Sequence, residues 1–306
     1  MNIGVIGGSG YIGSHVVDKL LAHGHEVTVF DIKKPHRSDV SHVYIDIMDP
    51  QKTVVALTGY YDAIYMLAAM ADVNDVFRNP IEATQINVLG VATVLEAAKR
   101  NNIGRVILSS TIWVYGLAEP QTVNEQTPLQ IEKADHVYTA SKVAAEMYCH
   151  SYHKLYNQNY TILRYGIPYG PRARGGTVLA TFVQRAFKGE PLTIMGDGNQ
   201  YRNFIYVEDL AEGNVAALKD IAVNKVYNLE GMRPVSVKEV AEEVKKHVSD
   251  VRIEYKEARP GDQAGKIANS DKAKRELGWE PKIDFEEGVR RYIAWYKENI
   301  INKPKS

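Results

Sequence analysis

The sequence predicts an α/β protein built around a doubly wound parallel sheet, with a smaller C-terminal lobe. Three observations carry this reading. Short apolar runs alternate with helical stretches from the N-terminus to about Arg164. The first run leads directly into a glycine turn and an amphipathic helix. Beyond Arg164 the texture changes to loops rich in Gly, Pro and Arg.

The elements follow in order. Asn2–Ile6 is a short apolar run suited to a buried parallel strand. Gly7, Gly10 and Gly13 form a G-x-x-G-x-x-G turn, and Val16, Val17, Leu20 and Leu21 continue as a helix. Glu26–Phe30 is the second strand and ends at Asp31. A strand is expected near His42–Asp46, a helix near Gln51–Leu57 and a strand at Ala63–Leu67. A long helix near Ile81–Arg100 precedes a strand at Val106–Leu108. A second long helix carries Tyr138 and Lys142 and runs to about Tyr156, and Tyr160–Arg164 is the next strand. Gly166–Gly176 and Arg259–Asp262 read as loops, and Asp271–Leu277 as a helix. The chain is expected to return to the sheet near Phe204–Val207 and Val226–Leu229. This divides it into a dinucleotide-binding part, 1–165 with returning segments near 201–230, and a substrate-binding lobe from 166–200 and 231–306.

Composition narrows the function. At 306 residues the chain can bury a large core as one domain or two. Lys plus Arg equal Asp plus Glu at 37 each, so no basic field suggests nucleic acid. Cys149 is the only cysteine, which leaves no disulfide framework. There is no Cys/His cluster at metal-ligand spacing, so no metal is expected. The apolar runs fall short of the ~20 residues that span a bilayer. The first strand starts at Asn2, which argues against a signal peptide. These features read as a soluble, cytoplasmic protein with no membrane partner.

Strand, glycine turn and helix together place a helix N-terminus where it can hold a diphosphate. Asp31 follows the glycines at about the 20-residue spacing that suits a ribose 2′-hydroxyl and repels a 2′-phosphate, which favours NAD over NADP. Lys33, Lys34 and Arg37 lie just beyond it and could admit that phosphate, or could be plain surface charge. Tyr138 and Lys142 stand four apart, on one face of a helix. Such a pair is commonly a solvated face. Beside an ammonium ion, however, a phenol is easier to ionise, and one tuned down from its usual value of about 10 can serve as a base near neutral pH.

The long helices near Ile81–Arg100 and around Val143–Tyr156 are apolar on nearly every side, through Ile86, Val88, Leu89, Val91, Val94, Val143 and Met147 among others. Such helices must be covered all round. One side faces the sheet, and the other either lies under the second lobe or meets another subunit. A homodimer through a four-helix contact is therefore expected.

Taken together, the chain resembles the extended short-chain dehydrogenase/reductase family, in its nucleotide-sugar epimerase/dehydratase branch. The residues that carry this are Gly7-x-x-Gly10-x-x-Gly13, Leu67-Ala68-Ala69, Asn87, Ser109-Ser110-Thr111, Val114-Tyr115-Gly116, Tyr138-x-x-x-Lys142, Leu163-Arg164-Tyr165, Gly196-Asp197-Gly198 with Arg202, and Arg259-Pro260-Gly261-Asp262. The resemblance implies a Rossmann dinucleotide-binding fold with NAD as cofactor, held by Gly7, Gly10, Tyr11, Ile12, Gly13, Asp31, Asp46, Ile47, Leu67, Ala68, Ala69, Asn87, Ser109, Tyr138 and Lys142. It implies that Tyr138 is the acid/base, that Lys142 lowers its pKa and holds the nicotinamide ribose, and that Thr111 bonds the reacting sugar oxygen. Thr111, Thr177, Arg202, Arg259 and Asp262 are the implied substrate contacts, and the partner is a nucleotide sugar.

Dehydratases and decarboxylases of this branch carry a Glu just before the Val-Tyr-Gly segment. Here Trp113 stands there, and an indole does not transfer protons at neutral pH. Ile167 stands where an Asn usually contacts the substrate diphosphate, and Thr177 stands at a second Asn position, so the sugar nucleotide is left open. The resulting expectation is an NAD-dependent nucleotide-sugar epimerase, acting at C4 of a UDP-hexose through a 4-keto intermediate. The alternatives are an NAD(P)H-dependent 4-ketoreductase and a non-catalytic NAD-binding regulator.

Overall fold

The structure, a computed structural model, describes residues 1–248, 250–257 and 265–303. Its elements run β1 (Asn2–Ile6), α1 (Tyr11–Ala22), β2 (Glu26–Asp31), β3 (Ser41–Tyr44), α2 (Pro50–Ala56), β4 (Ala63–Met66), α3 (Val73–Arg78) and α4 (Pro80–Thr84). A π-helical turn, Gln85–Leu89, joins α4 to α5 (Gly90–Arg100). There follow β5 (Val106–Thr111), β6 (Thr122–Val123), α6 (Val137–Tyr156), β7 (Tyr160–Tyr165), β8 (Ile167–Tyr169), α7 (Val178–Phe187), β9 (Leu192–Met195), β10 (Tyr201–Tyr206) and α8 (Val207–Ala216). The last elements are β11 (Lys225–Leu229), β12 (Pro234–Ser236), α9 (Val237–His247), β13 (Ile253–Lys256), β14 (Ile267–Ala268) and α10 (Phe285–Tyr296).

Seven strands form one parallel sheet in the order β11-β7-β5-β4-β1-β2-β3. The chain winds outward in both directions from the seam between β1 and β4. Ligands bind beyond the carboxyl ends of strands at such a reversal, so Gly7 and Leu67 already lie at the expected mouth. Both faces of the sheet are covered. Val16, Val17 and Leu20 of α1 and Leu210 of α8 pack on one face, and Val94, Leu95, Ala145 and Cys149 of α5 and α6 on the other. Burial on both sides explains why β5 and β7 are closed along their whole length. A separate cluster, including Phe182, Phe204, Val240 and Phe285, forms the core of the smaller lobe.

One expected strand is placed differently. Val226–Leu229 lies in the large sheet as part of β11, but the segment around Phe204 does not. It belongs to β10, which pairs with β8 and β12 in a three-stranded sheet. Its apolar run fits a buried strand in either sheet, and period alone does not choose between them. Among the described residues no helix is long and apolar enough to cross a membrane.

The chain passes between the two sheets at neighbouring points: at Gly166, between β7 and β8, and at Glu230-Gly231, between β11 and β12. The two crossings are tied by Gly166 N–H donating to the Leu229 carbonyl at 2.9 Å. A Cβ on Gly166 would lie 2.6 Å from Glu230 Oε2, so the glycine makes room for that carboxyl. Glu230 is 1% exposed, and among the described residues neither of its oxygens has a hydrogen-bond partner. Burial pushes its carboxyl well above the usual range. In the unfolded chain the same group ionises near 4.5, so the fold loses stability as pH rises above that value, by up to about 1.4 kcal/mol per unit. Glu230→Gln is expected to raise the melting temperature at pH 8 and to leave it nearly unchanged near pH 4.5. An equal melting temperature at pH 8 would contradict the unpartnered carboxyl.

Candidate active site

The glycine turn is built around contacts that only hydrogen can make. Gly7 has φ +84°, and a Cβ there would lie 2.6 Å from the Ala68 nitrogen, on the strand-end loop across the seam. A Cβ on Gly13 would overlap the Gly7 carbonyl, so α1 seats against the turn only with glycine there. Gly10 is the N-cap of α1, and no side chain caps that end. The first-turn N–H groups of Tyr11, Ile12 and Gly13 are therefore left for an anion. Tyr11 itself sends its phenol away toward Tyr169, Tyr206 and Tyr292 of the smaller lobe, where it is buried without a partner. What Tyr11 offers a diphosphate is its backbone.

Asp31 closes β2 beside this turn. Its Oδ2 accepts from Ser9 N–H at 3.0 Å and its Oδ1 from Lys33 N–H at 2.9 Å. Two backbone donors fix the carboxylate at the edge of the glycine loop. Arg37 is committed elsewhere, with a two-point bond to Asp39 (2.6 Å each) and a third to Asp18. Asp46 uses Oδ1 to hold Met48 N–H at 2.9 Å, which turns the chain into α2. Ile47 is buried against Gly90 of α5. Leu67 and Ala68 both donate to the Ile6 carbonyl, at 2.9 and 3.1 Å, and so line the seam. The donor set, the uncapped helix end and the placed carboxylate together fit a dinucleotide.

Asn87 joins this wall to the helix that carries Tyr138. It sits in the π-helical turn and is buried. Its Oδ1 accepts from Met70 N–H and its Nδ2 donates to Met70 O, both at 2.9 Å. Nδ2 also donates to Ser141 Oγ at 3.1 Å. Such turns recur at functional sites because they move a side chain off the α-helical register. Ser109 turns its hydroxyl into the sheet, donating to Met66 O at 2.9 Å, and presents its carbonyl to Lys142 Nζ at 2.9 Å.

Tyr138 and Lys142 share one helix face, as their spacing suggests, and the end of β5 brings Thr111 beside Tyr138. Thr111 ends β5 and accepts from Trp113 N–H at 3.2 Å. Its hydroxyl stands by the Tyr138 phenol and draws the phenol's pKa down. The electrostatics differ from the expectation. Tyr138 is half-buried, and burial pushes its phenol up to about 12. The Thr111 hydroxyl and the Arg174 charge pull the other way without offsetting it. Lys142 does not lower the phenol here, because its ammonium is bonded to Ser109 and lies 6.0 Å from the centre of the Tyr138 ring. Burial lowers Lys142 to about 8, and Glu146 opposes the shift.

The sequence reading quoted Ser110, Tyr115 and Arg164 in its motifs, but not the bonds they make, and it did not single out Glu146. Glu146 and Arg164 are buried and bond at two points, 3.0 and 2.6 Å. Ser110 donates to Glu146, and Arg164 reaches Tyr115, which donates to Asn228. Spacing puts Glu146 on the helix face of Lys142, but it does not name Arg164 as its partner. Arg174 carried no motif signal at all. Of the expected substrate contacts, Thr177 caps α7 by accepting from Ala180 N–H at 3.3 Å, and Arg202 on β10 donates to Tyr201 O at 2.8 Å. Both belong to the smaller lobe rather than to the Thr111–Tyr138–Lys142 group. Arg259 and Asp262 lie outside the described residues. Among the described residues no group of three or more His, Cys, Asp or Glu could hold a metal ion.

Comparison with known proteins agrees with this geometry. The structure is similar to UDP-glucose 4-epimerase from Thermotoga maritima with UDP-glucose, at TM-score 0.89 and 30% identity, covering 98% of this chain and 100% of that one. It is similar to UDP-glucuronic acid 4-epimerase from Bacillus cereus in complex with UDP-glucuronic acid and NAD, at TM-score 0.86 and 27% identity, over 97% and 99% of the two chains. In sequence it is 33% identical over 318 residues to UDP-glucuronic acid decarboxylase 1 of Arabidopsis thaliana, covering 99% of this chain and 71% of that protein. Residues 3–229 match the NAD dependent epimerase/dehydratase family, and the chain belongs to that family.

Proposed function

We propose that this protein is an NAD-dependent epimerase of a nucleotide sugar, acting at C4 of a UDP-hexose through a 4-keto intermediate. The observation that carries this reading is Thr111 set beside the Tyr138 phenol, with Lys142 one turn along the same helix. It is a proton-transfer pair set beside a dinucleotide mouth. The ring that stands against Tyr138 is the Trp113 indole, at 6.4 Å between centres. Indole supplies no second acid/base for expelling water or carbon dioxide, which favours epimerisation over the decarboxylation named in the Arabidopsis relative.

In this reading the first-turn N–H groups of α1 hold the diphosphate of NAD, and Asp31 holds the adenosine ribose. Asp46, Ile47, Leu67, Ala68, Ala69 and Asn87 flank the cofactor. Lys142 exchanges the Ser109 carbonyl for the nicotinamide ribose. Thr111 orients the C4 oxygen of the sugar, and Tyr138 takes its proton and later returns it. NAD supplies the acceptor and then the donor of hydride at C4. Thr177 and Arg202, together with Arg259 and Asp262, grip the nucleotide, while residues 1–165 and the returning strand β11 form the part that holds the cofactor.

The protein should therefore interconvert C4-epimeric UDP-sugars without added NADH. NMR of UDP-glucose, UDP-galactose, their N-acetyl forms and UDP-glucuronate reads this directly. Tyr138→Phe should lower turnover by about 10²–10⁴-fold while melting as the parent does. Consumption of a 4-keto sugar nucleotide together with NAD(P)H, with no epimerisation, would replace this reading by a ketoreductase.

NAD should bind more tightly than NADP, since Asp31 faces the ribose edge and Arg37 is held by Asp39 and Asp18. Titration of the apoprotein with both dinucleotides decides it, and equal affinities would refute the role of Asp31.

We also propose a homodimer. Phe77, Ile81, Leu89, Met147 and Leu155 are exposed on α3, α4, the π-helical turn and α6. A second copy laying the same helices against them would cover these side chains. Light scattering at micromolar concentration should give twice the chain mass, and a monomer there rules out the pairing.

A further inference from the structure

His136 and Trp113 bracket the residue on which the proposed chemistry depends. His136 is the N-cap of α6, and its Nδ1 accepts from the Tyr138 backbone N–H at 3.1 Å. That contact fixes the imidazole with Nδ1 as acceptor and its proton on Nε2. Helix N-caps are ordinarily Ser, Thr, Asp or Asn, which supply an acceptor and nothing more. Here the cap is a ring, and the rest of that ring meets the Trp113 indole edge-on, 6.4 Å between centres at 82°. The indole in turn meets the Tyr138 ring edge-on, at 6.4 Å and 84°. Both are favourable T-shaped contacts. The backbone N–H of Trp113 donates to Thr111 Oγ1 at 3.2 Å, which fixes its main chain, so the indole's place rests on the two ring contacts. Trp113 is 38% exposed, so core packing does not explain its place.

Resting on the reading of Tyr138 as the acid/base, we propose that His136 is a positioning residue for Tyr138, acting both as helix cap and, through Trp113, as a lateral stop for the phenol ring. The cap sets where α6 begins, and hence the depth of Tyr138 in the site. The wedge limits rotation of the phenol about its side-chain bonds. Thr111 benefits as well. Its oxygen accepts the Trp113 backbone N–H at one lone pair, and its hydroxyl hydrogen is free to point at Tyr138. A smaller cap would satisfy the helix end and leave the indole free to swing.

Two variants separate the roles. His136→Asn keeps an acceptor for Tyr138 N–H and removes the ring. His136→Phe keeps a ring against the indole and removes the acceptor. With the epimerase assay, His136→Asn should lower kcat about tenfold or more, with KM and melting temperature close to the parent values. Adding His136→Asn to Trp113→Leu should cost little further, because both act through the same wedge. Parental kcat in His136→Asn, or multiplicative losses in the double variant, would overturn the proposal. A readout without substrate keeps it testable even if the protein epimerises none of the sugars above. The near-ultraviolet circular dichroism of Trp113, taken as the difference between the parent and Trp113→Leu, should collapse in His136→Asn and persist in His136→Phe. A band that survives in His136→Asn shows that the imidazole does not hold the indole.

Discussion

The buried pair of Glu146 and Arg164 is the contact on which the active site rests. It joins α6 to β7 at two points in a region closed to water. Ser110 of β5 and Tyr115 beyond it complete the bonding of both partners. Removing one member of such a pair typically costs roughly 3–5 kcal/mol, because the other is left charged and dry. The pair also fixes a distance. Lys142 is one turn before Glu146 and Tyr138 one turn before that, so the height of α6 over β5 sets where both meet Ser109 and Thr111. A helix held only by apolar side chains could slide along the sheet at modest cost. One pinned by an ion pair with a fixed fork has a single register.

Much of this was legible in the sequence, for physical reasons. The glycine turn was readable because Gly7 and Gly13 answer steric demands that no other residue meets. Asp31 was readable because its spacing from the turn is set by one helix and one strand. Tyr138 and Lys142 were readable because four residues make one helical turn. The misplaced strand at Tyr201–Tyr206 shows the limit: an apolar run states that it is buried, not by what. The partners of Arg164, the cap at His136 and the charge of Arg174 depend on segments brought together by folding, and no local pattern announces them. The expected lowering of the Tyr138 phenol failed for a related reason. Spacing placed the ammonium on the correct face, but a nearby carbonyl captured it.

That capture has a chemical meaning. With Lys142 bonded to Ser109 and burial holding Tyr138 near 12, the pair is a poor base as it stands. Thr111 and Arg174 supply part of the needed pull, and repositioning of the ammonium would supply more.

The π-helical turn at Gln85–Leu89 carries one residue more than an α-helical path between α4 and α5 would need. Deleting a single residue there could leave α4 and α5 joined by a regular helix, but it would remove the wide turn that carries Asn87 off the α-helical register. Asn87 would then leave Met70 and Ser141. Insertions and deletions are therefore poorly tolerated within this helix, although its exposed side looks permissive. Length variation among descendants of this chain should be confined to its surface loops, and the helix should change by substitution alone.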